Sequence, residues 1–205
     1  MQLLHTPQTC SLSSLIVLNE VGVSFDVLHV DLASRLTADG RDFLTIAPKG
    51  QVPALLLDDG SLLTEGVAIV QYIADMVPDR GLAPAAGTIE RVRLQEWLNY
   101  LATELHKGFG GFWAPTAGDA HKAHLRQVIE GHLGWLEREL ASRPYLMGES
   151  YGIADAYLFT ILGWARLDPW RIPLDPYPHL LAFMDRVAVR PAVQAALVHE
   201  QPIAA

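Results

Sequence analysis

One cysteine in 205 residues leaves Cys10 with no partner for an internal disulfide. It also rules out any cysteine-based zinc site within the chain. A free thiol fits a reducing compartment. Positive charge is scarce as well: 15 Lys and Arg stand against 23 Asp and Glu, for a net charge of −8. Residues 1–80 hold 4 of those basic residues and 10 of the acidic ones, so the acidity is concentrated at the front. Without a basic patch, neither nucleic acid nor a membrane surface is an expected partner. An anionic small ligand has to rely on local donors instead of the overall field. No apolar run approaches the roughly 20 residues that span a bilayer. The opening MQLLHTPQ lacks the basic start and long apolar core of a secretory signal. The expectation is a soluble, cytoplasmic protein, with no internal repeat and no low-complexity tract.

Half the residues are hydrophobic, enough for a well-buried core. Met1 to Leu4 reads as a short strand, and Ser11 to Val21 as a helix with Leu12, Leu15, Ile16 and Leu18 on one face, closed by Gly22. Residues 24–32 alternate as a second strand. ASRLTADGRD reads as a loop leading into a short helix. Ala54 to Leu57 and Ser61 to Leu63 form a hairpin around Asp58-Asp59-Gly60. Glu65 to Val77 is helical and Pro78 stops it. This β-α-β-(α)-β-β-α order fills residues 1–80. Residues 81–87, rich in Pro, Gly and Ala, read as a linker. From residue 88 to 205 the pattern is helical: Ile89 to His106, His121 to Ala141, Ile153 to Arg166, and two helices between Tyr177 and Val198 punctuated by Pro191.

Cys10 falls where a strand ends and a helix begins. Unpaired N–H groups and the helix dipole there favour a thiolate. The spacing from Cys10 to Ser13 is C-x-x-S, so no resolving sulfur is present and any disulfide requires an external thiol. Glutathione is the abundant cytosolic one. The other reading is a small, buried, inert cysteine, and position alone leaves both open. Val52-Pro53 enters a strand and is a candidate cis peptide. Glu65-Gly66 opens a helix, where carboxylates bind and where Glu65 can meet an ammonium; an acidic residue in a first helical turn is also ordinary. His121, His124 and His132 lie along one helix and read as a solvated face, with no metal site expected.

Four blocks together resemble a cytosolic glutathione S-transferase of the bacterial beta class. They are CSLSS at Cys10, PKGQVPALLLDDGSLLTEGVAIVQYIAD from Pro48 to Asp75, EWLNYLATELHKGF from Glu96 to Phe109, and GIADAYLF from Gly152 to Phe159. The resemblance implies an α/β thioredoxin-like N-terminal domain that binds glutathione, followed by an all-α domain. It implies a detoxifying transferase that joins the glutathione thiolate to small apolar electrophiles, with glutathione as co-substrate and no metal. By motif match Cys10 lies beside the glutathione sulfur, with Ser11 and Gln51 in the same binding set. Val52 pairs its backbone with the cysteinyl part, next to a cis Pro53. Glu65 and Gly66 hold the γ-glutamyl end, and Arg35 and Leu32 lie near the glycyl carboxylate. His106 and Lys107 match a pair near the sulfur, with His106 read as catalytic. Asn99 and Glu104 match positions that reach the other subunit's site, which implies a homodimer.

Phe109, Phe112, Trp113, Trp164 and His5 are candidates for the electrophile pocket, with core packing as the competing reading. His5 stands where the family usually has tyrosine. Asp155 is expected to be structural: the family's hydroxyl cap is replaced by Gly152, which leaves the carboxylate to reach back to the Gly152 N–H. Two other functions stay open. One is glutaredoxin-like thiol-disulfide exchange through Cys10. The other is a non-catalytic protein that binds glutathione or apolar ligands.

Overall fold

A computed structural model describes residues 1–111, 114, 116–167 and 171–200. The chain divides into two compact units, Met1–Ala83 with Val189–Ala205, and Pro84–Ala188.

The first unit is built on a mixed five-stranded sheet in the order β3-β2-β1-β4-β5. Its strands are β1 (Gln2–His5), β2 (Asp26–Asp31), β3 (Leu36–Thr37), β4 (Ala54–Leu56) and β5 (Leu62–Thr64). β1 and β2 run parallel with Leu3 opposite Val27, which requires the crossover through α1 (Ser11–Val21). β4 runs antiparallel to β1 and to β5. Gly60, at φ 84°, makes the tight turn between β4 and β5. β3 is a difference from the sequence reading, which left ASRLTADGRD as loop. Two residues flanked by polar ones carry no periodicity to read. The short helix α2 (Phe43–Ile46) follows, with its first turn capped by the Asp42 carboxylate accepting the Leu44 N–H at 2.9 Å.

Helix α1 is buried nearly all round, with Leu15, Ile16, Val17 and Leu18 at 1% exposure or less. The reason is that α1 packs against both α3 (Gly66–Met76) and α9 (Pro191–Leu197), so no face is left for solvent. This also explains why the last segment groups with the first unit and not with the 88–205 helical domain expected from sequence. Arg190 donates to both carboxylate oxygens of Glu20 on α1, at 2.6 and 2.9 Å, and fixes α9 there. α3 begins at Gly66, one residue later than expected, because Glu65 sits outside the helix at φ 69°.

The second unit is helical among its described residues: α4 (Ile89–Tyr100), α5 (Lys107–Gly110), α6 (Asp119–Leu140), α7 (Ile153–Trp164) and α8 (Pro178–Ala188). α4 runs into a π-helical turn over Leu101–His106 and on into α5. The helix therefore does not close at His106 and Lys107, as the sequence suggests. The wide turn lets it continue while redirecting those side chains. α7 is buried almost throughout, with Leu158, Ile161 and Leu162 fully enclosed. No helix among the described residues is long and apolar enough to cross a membrane.

Candidate active site

In the first unit the candidate residues converge on the segment Lys49–Pro53. Cys10 ends the loop after β1, half-buried, and its thiol donates to the Val52 carbonyl at 3.3 Å. Its own carbonyl accepts the Ser13 hydroxyl at 2.7 Å, so the serine of C-x-x-S is committed to the backbone. The Val52–Pro53 peptide is cis. Arg35, at φ 62°, donates to the Gly50 carbonyl at 2.7 Å, beside the exposed Gln51. Gly66 lies against the Pro53 ring, where an added Cβ would stand 3.4 Å from Cγ. Leu32 is partly buried and packs on the core of Phe43, Val52 and Ala54.

Glu65 meets Lys49 at 2.6 Å, with both side chains more than half exposed. Lys49 escapes a sequence reading because a lone lysine before Gly-Gln carries no periodic or motif signal. An exposed pair of this kind contributes about 1 kcal/mol at most, so a ligand ammonium can displace Lys49 cheaply. The strip thus offers a guanidinium, backbone around Val52, a carboxylate and a thiol. That set suits an extended, zwitterionic, peptide-like ligand carrying sulfur.

Two expectations in this unit are corrected. Ser11 is fully buried, and its hydroxyl is taken up by the Thr6 amide at 3.2 Å, Thr9 Oγ1 at 2.7 Å and His5 Nδ1 at 2.8 Å. It offers no hydroxyl to a ligand. His5 is also fully buried, so it lines no pocket surface. Its Nδ1 meets Ser11 Oγ at 2.8 Å, while its buried Nε2 makes no hydrogen bond.

In the second unit, His106 Nδ1 lies 2.6 Å from the Tyr157 hydroxyl. Burial, and secondarily the Lys107 charge, lower its pKa from 6.5 to about 4. His106 is therefore neutral near pH 7, and cannot serve there as the cation that would stabilise a thiolate. Tyr157 was missed from sequence, although a phenol inside a strongly apolar helix signals a buried hydrogen-bond partner. Phe109 and Trp164 are 2% and 4% exposed, with rings 6.0 Å apart edge to face, and Trp164 meets the His106 ring at 4.9 Å. Both are core residues in this unit rather than pocket surface. Lys107, Asn99 and Glu104 are exposed. Phe112 and Trp113 lie outside the described residues.

His121 and His124 are exposed as expected, but His132 is not part of a solvated face. Its Nδ1 lies 2.8 Å from the Tyr100 hydroxyl. Among the described residues no group of three or more His, Cys, Asp or Glu side chains is placed to hold a metal ion. Asp155 is fully buried and accepts the N–H groups of Leu146 at 2.8 Å and Gly152 at 2.9 Å.

The His106 environment makes a pH prediction. Its folded pKa lies below its unfolded one, so its neutral state favours folding above pH 6.5, and that contribution is lost as pH falls towards 4. The shift corresponds to about 3 kcal/mol. His29 and His199, lowered first by burial and then by neighbouring imidazoles, act in the same direction. In urea melts across this window, His106→Asn is expected to lose less stability on acidification than wild type. Equal losses would remove His106 as a source.

The family described as "Glutathione S-transferase, N-terminal domain" matches residues 1–75, and "Glutathione S-transferase, C-terminal domain" matches residues 119–186. The chain is 47% identical to glutathione S-transferase GstA of Escherichia coli O157:H7, over 98% of each chain. It is similar to a sphingomonad glutathione S-transferase solved in complex with glutathione, with TM-score 0.95 and 44% identity over 99% of this chain and 100% of that one. The bacterial beta class glutathione S-transferase of Sphingomonas chungbukensis gives TM-score 0.93 and 44% identity at the same coverage. The chain belongs to the glutathione S-transferase family, in its bacterial beta class.

Proposed function

We propose that the chain is a glutathione transferase acting on small apolar electrophiles. Glutathione is read as lying along Lys49–Pro53, with its cysteinyl part paired to the Val52 backbone. Its γ-glutamyl end meets Glu65 and Gly66, and its glycyl carboxylate meets Arg35, near Leu32 and Gln51. The observation that carries this reading is the Cys10 thiol on the Val52 carbonyl, with Arg35 and Glu65 reaching the same five-residue segment. The glutathione thiolate attacks an electrophilic carbon, a C–S bond forms, and the leaving group departs with the bonding electrons. The thiol's proton goes to solvent. His106 and Lys107 are assigned to this reaction by their motif match alone, with His106 uncharged.

Asn99 and Glu104 are assigned to a neighbouring subunit's glutathione, which makes the assembly a homodimer. Exposed apolar side chains, Tyr72 and Met76 in the first unit and Ile89 and Val92 in the second, are of the kind that a subunit interface covers. The protein is read as cytoplasmic and its role as detoxification.

Glu65→Gln tests the placement of the ligand. It keeps the shape and removes the charge that an ammonium would meet. The glutathione KM is expected to rise about tenfold, the value of one charged hydrogen bond, with kcat within about twofold. An unchanged KM in steady-state conjugation assays would remove Glu65 from the site.

A second reading, thiol-disulfide exchange with glutathione through Cys10, is supported by one further observation. Ser13 is held on the Cys10 carbonyl, so a mixed disulfide at Cys10 waits for a second glutathione to resolve it.

A further inference from the structure

His106 is uncharged near pH 7, so what it can do for a sulfur depends on which ring nitrogen carries its proton. The residue ends the π-helical turn Leu101–His106, which packs against α7. Two α7 side chains about two turns apart hold the imidazole. Tyr157 meets it at 77° with centroids 6.0 Å apart, and Trp164 at 72° and 4.9 Å. Trp164 is backed in turn by the Phe109 ring. Tyr157 and Trp164 are both nearly enclosed, and close packing keeps them in place. The Tyr157 oxygen lies 2.6 Å from His106 Nδ1. The other ring nitrogen, Nε2, makes no hydrogen bond among the described residues and is not enclosed.

A contact that short has one proton between its two atoms. A phenol is a stronger acid than a neutral imidazole, and the bare imidazole nitrogen is a stronger base than a phenol oxygen. Tyr157 is therefore the donor and Nδ1 the acceptor. With its Nδ1 lone pair engaged, the neutral ring carries its proton on Nε2. We propose that Tyr157 is a positioning residue for His106: its hydroxyl holds Nδ1, keeps the ring proton on Nε2, and so makes His106 an uncharged hydrogen-bond donor to the glutathione thiolate. The opposite tautomer would turn a lone pair towards the sulfur and repel the anion. An N–H facing an anion forms a charge-assisted bond without a charge of its own. Burial, and then the Lys107 charge, keep a second proton off the ring. His106 takes up no proton in this step; the thiol's proton goes to solvent. This role rests on His106 lying beside the glutathione sulfur, as the proposed function has it.

The 15N spectrum of wild type at pH 7, without glutathione, is expected to show the His106 proton on Nε2 and an accepting Nδ1. A proton on Nδ1 overturns the proposal whatever the activity. Tyr157→Phe removes the oxygen and keeps the ring. At saturating glutathione, the pH profile of kcat/KM for the electrophile reads the ionisation of the bound thiol. In Tyr157→Phe that ionisation is expected to move up by about one pH unit, the roughly tenfold worth of one charged hydrogen bond, with glutathione KM within about twofold. His106→Asn is expected to show a similar shift, and adding Tyr157→Phe to it no further one, because Tyr157 acts only through the ring. A merely structural Tyr157 would lower the melting temperature and leave the thiol ionisation where it was. That result, or an equal further shift in the His106→Asn background, overturns the proposal. A His106→Asn profile identical to wild type would remove His106 from the sulfur and the role of Tyr157 with it. If wild type conjugates nothing, the proposed function fails, and the 15N spectrum still decides whether Tyr157 sets the tautomer.

Discussion

Asp155→Ala is expected to destabilise the helical unit by about 3–5 kcal/mol, the range for removing one member of a buried, charged hydrogen-bonded set. The carboxylate is fully enclosed and binds two backbone amides that flank one loop, Leu146 and Gly152. Truncation leaves both N–H groups inside the protein without an acceptor, and each costs roughly 1–3 kcal/mol. Asp155 is also in the first turn of α7, where negative charge meets the helix dipole. Gly152 brings no hydroxyl to the cap, so the side-chain share of capping falls on Asp155. Asp155→Asn retains one good acceptor but aims its N–H2 at the other amide, so it is expected to cost less than alanine yet more than about 1 kcal/mol. Guanidinium melts check both: the midpoint should fall with the slope unchanged. A loss under about 1 kcal/mol for Asp155→Ala would mean that water reaches those amides.

Much of this architecture is legible from residue order because local chemistry carries it. Alternation marks β2, the Asp-Asp-Gly turn marks the β4–β5 hairpin, and Gly22 ends α1 in the left-handed region with its N–H on Leu18. β3 was not legible, since two residues cannot show a period. The π-helical turn at Leu101–His106 was not either. It replaces one regular ladder of hydrogen bonds with another, and side-chain pattern does not report which ladder is used. The attachment of α9 to α1 depends on Glu20 and Arg190, 170 residues apart, and no short-range pattern links them.

The candidate site divides along the same line. Cys10, the Val52-Pro53 segment and Glu65 stand out because each sits at a junction between elements, where backbone groups are unpaired and chemistry gathers. Their chemical states are another matter, because burial sets them. Ser11 looks like a free hydroxyl beside the thiol, yet it is enclosed and fully engaged. His106 looks like a cation closing a helix, yet its helix continues and its ring is neutral at pH 7. Phe109 and Trp164 look like pocket walls because they are aromatic and near a Gly-rich turn, yet they are spent on the core. In each case identity and position were readable, while exposure, which decides whether a group meets ligand or protein, depends on distant residues.

Cys10→Ala is expected to separate the two activities proposed for the site. As the chain's only cysteine, Cys10 is its only possible partner for a disulfide with glutathione. Incubation with oxidised glutathione should give one adduct on wild type by intact mass and none on the variant. Exchange turnover should fall to background, at least about 100-fold, because a covalent nucleophile has no substitute. Conjugation should behave differently. The attacking sulfur there belongs to glutathione, and Cys10 offers at most one neutral hydrogen bond, now given to the Val52 carbonyl. Losing one such bond is worth about 1 kcal/mol, or roughly fivefold in kcat/KM. Cys10→Ser keeps a donor without the sulfur, so it should recover most of that fivefold and none of the exchange. Loss of both activities to the same extent in both variants would place Cys10 on the covalent path of conjugation itself, and the assignment of glutathione's sulfur as the nucleophile would fall. Full conjugation in the alanine variant, with exchange abolished, would leave the thiol purely redox. The ratio of the two losses therefore reads out whether Cys10 acts by bonding covalently or by hydrogen bonding.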